Sequence, residues 1–128
     1  MDESEAHKTK HQAVSALIKS LDLKSYQAKQ ATGVAVENLL LFDRKQNDYG
    51  PYNICGNPHP QLGVAFRAGD KVNRLLNLFI KSSCDKPNCE SVEDSWSDLA
   101  NYGLIGTLLA RDLWLEKPQR PTPDNPQE

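Results

Sequence analysis

Glu-Ser-Val-Glu-Asp-Ser-Trp-Ser-Asp-Leu-Ala-Asn-Tyr, residues 90–102, carries Glu90, Asp94, Asp98 and Tyr102 at intervals of four. On a helix of about 3.6 residues per turn, a step of four overshoots a full circle by only about 40°. Three acids and a phenol therefore rise along one slowly drifting stripe. Like charges at this spacing repel, by a few tenths of a kcal/mol per pair. A chain that accepts the repulsion usually supplies a cation, either a basic side chain or a metal. Val92, Trp96, Leu99, Ala100, Leu104, Ile105, Leu108 and Leu109 form a broad apolar face on the same helix. The acids are thus expected beside a core.

Working outward, apolar periodicity places three further helices. Val14, Leu17, Ile18 and Leu21 mark one from His11 to Leu23. Val36, Leu39, Leu40 and Phe42 mark a second from about Thr32, which can cap it, to Asn47, with residues 25–31 either joining this helix or forming a separate turn. Val72, Leu75, Leu76, Leu78, Phe79 and Ile80 mark a third from Val64 to Ser82, weakened early by Gly69. The fourth runs from Ser91 to Trp114, with Glu93 and Asp94 in its first turn, where negative charge suits the helix dipole. Residues 48–60 hold two Gly and three Pro, which predicts a long irregular loop, a common place for binding groups. No alternating strand pattern is long enough for a sheet. The expected fold is all-α, a four-helix bundle over residues 11–115, with a frayed segment 1–10 and a disordered Pro-rich tail 116–128.

Composition sets outer bounds. The chain has 128 residues, 38% hydrophobic and 25% charged, which suits one domain with a modest core. A net charge of −2 and an isoelectric point near 5.9 argue against general nucleic-acid binding. No apolar run approaches the ~20 residues of a membrane span, and the charged start lacks a signal-peptide core. Three cysteines, an odd number, suit a reducing compartment. A cytoplasmic protein is expected.

Two further constellations accompany the acidic stripe. Arg67, Lys71 and Arg74 share a face of the third helix, beside Asp70. The short connection between the third and fourth helices makes them antiparallel neighbours, so a basic stripe faces an acidic one. Such a pair of stripes suits a metal–phosphate ligand, with carboxylates on Mg²⁺ and Lys and Arg on phosphate oxygens. It equally suits mutual neutralisation across the bundle. At the end of the second helix, Lys45, Asp48, Tyr49 and Gly50 lead into the loop. Tyr49 and Tyr52 can stack on a base, or simply pack, and Gly50 permits a positive φ. Cys55, His59, Cys84 and Cys89 match no strong zinc spacing and read as free cysteines with a loop histidine. P-loop, dinucleotide and nucleophile-elbow motifs are absent.

Lys45-x-x-Asp48-Tyr49-Gly50, then Arg67-x-x-Asp70-Lys71-x-x-Arg74-Leu75, then Glu90-Ser91-Val92-Glu93-Asp94 with Asp98-Leu99-Ala100-Asn101-Tyr102, resembles in content and order the nucleotide modification associated domain 1 family, found mostly in bacteriophages. That family is distantly similar to the MazG-like all-α NTP pyrophosphohydrolases. The resemblance spans about residues 37–112. It implies a MazG-related helical bundle, Mg²⁺ held by acids from two helices, and attack of water on a nucleoside triphosphate. By position, Asp94 and Asp98 become metal ligands, Glu90 a third acid or the base for a metal-bound water, and Asp70 the acid of the facing helix. Lys45, Lys71 and Arg74 then grip phosphates, and Tyr49 with Asn101 or Tyr102 meets sugar or base. Arg67 and Asp48 complete the implied binding set.

The pattern also departs from MazG-like enzymes, which carry Glu-x-x-Glu on the helix before the final acids. Here the third helix offers Asp70 followed by Lys71, and the second offers Glu37 alone. The expectation is therefore a phage-type nucleotide-acting protein, hydrolysing a (deoxy)nucleoside triphosphate with Mg²⁺ in the host cytoplasm. The alternatives are a nucleotide-binding sponge or sensor without turnover, and a helical interaction protein. A homodimer is expected, since a small bundle with a pocket between helices gains from a second copy.

Overall fold

The computed structural model describes residues 2–81 and 89–116. All regular structure among them is helical: α1 Glu3–Ser20, α2 Tyr26–Tyr49, α3 Tyr52–Cys55, α4 Pro60–Leu76 continued by a π-helical turn Asn77–Lys81, and α5 Cys89–Ala110. The local chemistry of the ends explains these boundaries. Asp2 caps α1, its carboxylate accepting from Glu5 N–H at 2.7 Å. Ser25 caps α2, its hydroxyl accepting from Ala28 N–H at 3.1 Å. Asp22 and Asp112 adopt φ of 53° and 57°, and the following N–H groups of Leu23 and Leu113 reach back to Ile18 and Leu108 carbonyls. These left-handed stops close α1 and α5 by satisfying carbonyls that a helix end leaves orphaned. Gly50 ends α2 with φ of 70°, as its place in the sequence suggested.

Several expectations are corrected. α1 begins at Glu3, so most of residues 1–10 are helical; α2 begins at Tyr26, where Ser25 and not Thr32 caps it. The stretch 48–60 is not one irregular loop. Asp48 and Tyr49 finish α2, Tyr52–Cys55 form a single turn, and Pro60 opens α4 at a first-turn position that needs no N–H. The fourth helix stops at Ala110, four residues before Trp114. The tail from residue 117 and the connection 82–88, including Cys84, lie outside the described residues, as do the side chains of Cys89, Glu90 and Ser91.

The most extensive packing joins α4 to α5. Val64 meets Ile105 in the core cluster, and Lys71 meets Asp98. Seven residues forward in α4 correspond to seven backward in α5, so the two helices are antiparallel. Ile54 of α3 completes the buried cluster, with Phe42, Tyr102, Leu109 and Trp114 half-buried around it. Trp114 stacks edge-on against Phe42 at 6.3 Å and donates its indole N–H to Pro51 O at 3.0 Å. That contact fastens the turn after α2 to the segment after α5.

The inward face of α5 differs from the one expected. Ser95, Asn101 and Ile105 are buried, while Trp96 and Leu104 are 53% and 45% exposed. On α4, Leu75 turns inward but Val72, Leu76, Phe79 and Ile80 are exposed. No residue of α1 or α2 is fully buried. Among the described residues the buried hydrophobic core is Ile54, Val64, Leu75 and Ile105. With so few buried side chains, each matters: Ile105→Ala should cost about 2–5 kcal/mol in urea denaturation. A loss under ~1 kcal/mol would show that this cluster does not hold the bundle together.

Candidate functional site

A cleft of about 260 Å³ opens between α2, α3, α4 and α5, bordered by Phe42, Lys45, Gln46, Tyr49, Arg67, Asp98, Asn101 and Tyr102, with Asn53 and Ile54 from α3. Its floor is built by the packing just described. Ile54 and Ile105 fix the apolar base, and the straight run of α2 to Tyr49 carries Lys45 and Tyr49 to the rim. Of the residues expected in a binding site, Lys45, Tyr49, Arg67, Asp98, Asn101 and Tyr102 meet here. Asp48, Asp70, Asp94 and Arg74 do not border it.

Asp98 is the electrostatic centre. Its Oδ1 accepts from Lys45 Nζ at 3.1 Å and its Oδ2 from Lys71 Nζ at 3.0 Å. One carboxylate thus ties α2 and α4 to α5. Burial alone pushes its pKa up, but the hydrogen bonds and charges of Lys71 and Lys45 outweigh burial and hold it below the ordinary aspartate value. Arg67 has no acidic partner among the described residues. Three positive charges (Lys45, Arg67, Lys71) against Asp98 leave the neighbourhood at +2, in a chain whose net charge is −2.

Asn101 is 7% exposed and ties α5 to α2 through its amide nitrogen, which donates to Asn38 O at 3.2 Å. Its carbonyl oxygen is buried without a partner among the described residues. An unpaired buried acceptor costs about 1–3 kcal/mol, so this oxygen favours any donor that reaches it.

The described acids do not converge. Asp94 borders a separate concavity with Glu37 and Asn38 of α2 and Glu93 and Trp96 of α5. Asp70 borders another, beside Leu62, Phe66 and Asn73. Glu37 is paired with Lys10 of α1 at 2.9 Å. Among the described residues, no three His, Cys, Asp or Glu side chains come together in a way that could hold a metal ion. The i, i+4 partners Asp70 and Arg74 do not pair, and Tyr52, 72% exposed, does not border the cleft that Tyr49 borders. Cys55, half-buried and free, lies in a groove with His59, Asp112 and Trp114.

Sequence reasoning missed Gln46, Asn53 and Ile54. Gln46 already lay on the expected second helix, one turn from Phe42 and Tyr49, while the single turn of α3 leaves no periodic signal for Asn53 and Ile54. Compared with known proteins, the chain matches no family model, no curated protein and no solved structure. No helix among the described residues is long and apolar enough to cross a membrane.

The depressed pKa fixes a pH dependence. A carboxyl whose folded pKa lies below its unfolded value stabilises the fold fully above the unfolded value, and that contribution is lost as pH falls through the folded one. Asp98→Asn should therefore be less stable than wild type at neutral pH, by about 1–2 kcal/mol for two partly exposed ion pairs. The two proteins should converge in acid, below 3.8. An undiminished gap there, in paired urea titrations, would mean that the carboxylate charge is not what Asn removes.

Proposed function

We infer that this chain binds a nucleotide in the cleft between α2, α4 and α5. The observation that carries the reading is the company of charges and rings. Lys45 and Arg67 stand at one small opening with Phe42, Tyr49 and Tyr102, inside a chain of net negative charge. Cations recognise phosphate oxygens, and an exposed aromatic face, here that of Tyr49, accepts a base in a sequence-tolerant way. About 260 Å³ lies below the ~300–1,000 Å³ of most small-molecule sites. It suits one base or one phosphate group held inside, with the rest of the molecule reaching solvent. The resemblance to nucleotide modification associated domain 1 proteins supports the same ligand class.

Mg²⁺-dependent hydrolysis of a nucleoside triphosphate is the second reading. It is favoured by Glu37, Glu93 and Asp94, which border a concavity separated from the cleft by the Asn38–Asn101 bond. As placed, these residues do not fit a Mg²⁺ centre: Glu37 is spoken for by Lys10, and Asp98, in the cleft itself, already carries two ammonium groups. Binding without turnover is therefore the reading the geometry supports better.

The protein is proposed to act as a homodimer. α2, 24 residues long, buries no residue fully and exposes Val34, Leu39 and Leu40. Trp96 and Leu104 add exposed apolar side chains on α5. A second copy covering these faces would supply burial that the single chain lacks.

Thermal shift with each NTP and dNTP, with and without Mg²⁺, tests the binding reading when run beside a phosphate-release assay. Stabilisation without product is expected, weakened about tenfold in affinity by Arg67→Ala, the ~1.4 kcal/mol of one charge-assisted contact. Product release that requires Mg²⁺ and is lost in Asp94→Asn would replace binding by hydrolysis. Light scattering should give a dimer mass at micromolar concentration; a monomer would remove the second copy from the account.

A further inference from the structure

Lys45 and Lys71 hold the same carboxylate but stand differently. The Lys45 side chain is 45% exposed and borders the cleft; the Lys71 side chain is 26% exposed and does not. Each takes one oxygen of Asp98, at 3.1 and 3.0 Å. Arg67, across the same opening, has no acidic partner among the described residues. Asp98 therefore presents to two ammonium groups what a phosphate would present: two anionic oxygens on one centre.

We propose that Asp98 is a built-in counter-anion for the phosphate site, which Lys45 leaves to bind a nucleotide's phosphate together with Arg67, while Lys71 stays on Asp98 as a clamp. The proposal rests on the nucleotide reading above and refines it. Phosphate contact falls to Lys45 and Arg67, and Lys71, expected from the sequence to grip phosphate, becomes a positioning residue acting through Asp98. The energetics suit an exchange. A half-exposed ion pair is worth little net, so moving Lys45 from a carboxylate to a phosphate costs little. Lys71 remains to compensate Asp98, so the partly buried carboxylate is never left bare, which would be costly. No covalent step is involved.

The pattern of variants separates this arrangement from simpler ones. Calorimetric titration with dATP and with inorganic triphosphate is run on wild type, Asp98→Asn, Lys71→Ala, the Lys71→Ala/Asp98→Asn double variant and Lys45→Ala. Removing the competing anion should tighten binding about fivefold in Asp98→Asn, the ~1 kcal/mol of a partly exposed ion pair. Lys71→Ala should weaken binding, because Asp98 then holds Lys45 alone, and the added Asp98→Asn should restore it. Lys45→Ala should weaken binding about tenfold, like Arg67→Ala. A residue of merely structural role would not show that rescue.

Amine labelling of the wild-type protein gives a second measurement, independent of how the variants fold. Saturating dATP should protect Lys45 and leave Lys71 labelling unchanged. Weaker binding in Asp98→Asn, or equal protection of both lysines, would overturn the proposal while leaving nucleotide binding standing. If neither probe binds wild type or Asp98→Asn, the nucleotide reading itself fails, and this inference with it.

Discussion

Asp98 holds two helices to a third by one side chain. Its carboxylate receives Lys45 from α2 and Lys71 from α4, on the helix that also supplies Ile105 to the core and Asn101 to the α2 backbone. Because the apolar core is small, this polar spine carries an unusual share of the specification. The hydrophobic contacts bring α4 and α5 together. The Asp98 and Asn101 contacts decide where α2 lies across them, and hence that Lys45 and Tyr49 overhang a cleft.

The same economy explains the surface. A chain that buries Ser95 and Asn101 along its central helix gives up positions that leucine or isoleucine would fill in a self-sufficient bundle. Apolar residues are displaced outward instead, to Trp96 and Leu104 on α5 and to Val34, Leu39 and Leu40 on α2. Exposed apolar side chains on two helices that pack together leave surface that a further chain could cover. A cationic cleft within a small polar core, and apolar side chains outside it, are two consequences of one distribution of side chains.

Helix content, the antiparallel pairing of α4 and α5, and the turn at Gly50 were legible in the sequence, because periodicity, a short connection and glycine chemistry are local signals. The inward faces were not. Val92–Leu109 reads as apolar on most sides, and periodicity cannot choose between Trp96 and Asn101 when Asn101 is drawn inward by a backbone carbonyl sixty-three positions away. Basic and acidic residues at matching spacing also left two outcomes open, ligand or mutual neutralisation. The structure gives neutralisation at Asp98 and leaves Arg67 without an acidic partner among the described residues. Asp70 and Asp94 border other concavities, Asp94 although it stands one turn from Asp98 on the same helix. Spacing places residues on a stripe; only packing decides which stripe faces the neighbour.

The cationic, aromatic cleft is the proposed ligand site of this chain. The most direct measurement is a residue-by-residue map of wild-type amide and side-chain NMR shifts on titration with dATP. Saturable changes concentrated at Lys45, Tyr49, Arg67, Asn101 and Tyr102 are the predicted result. Changes centred on Glu37, Glu93 and Asp94 would move the site to the acidic concavity between α2 and α5, and their absence everywhere would contradict nucleotide binding altogether.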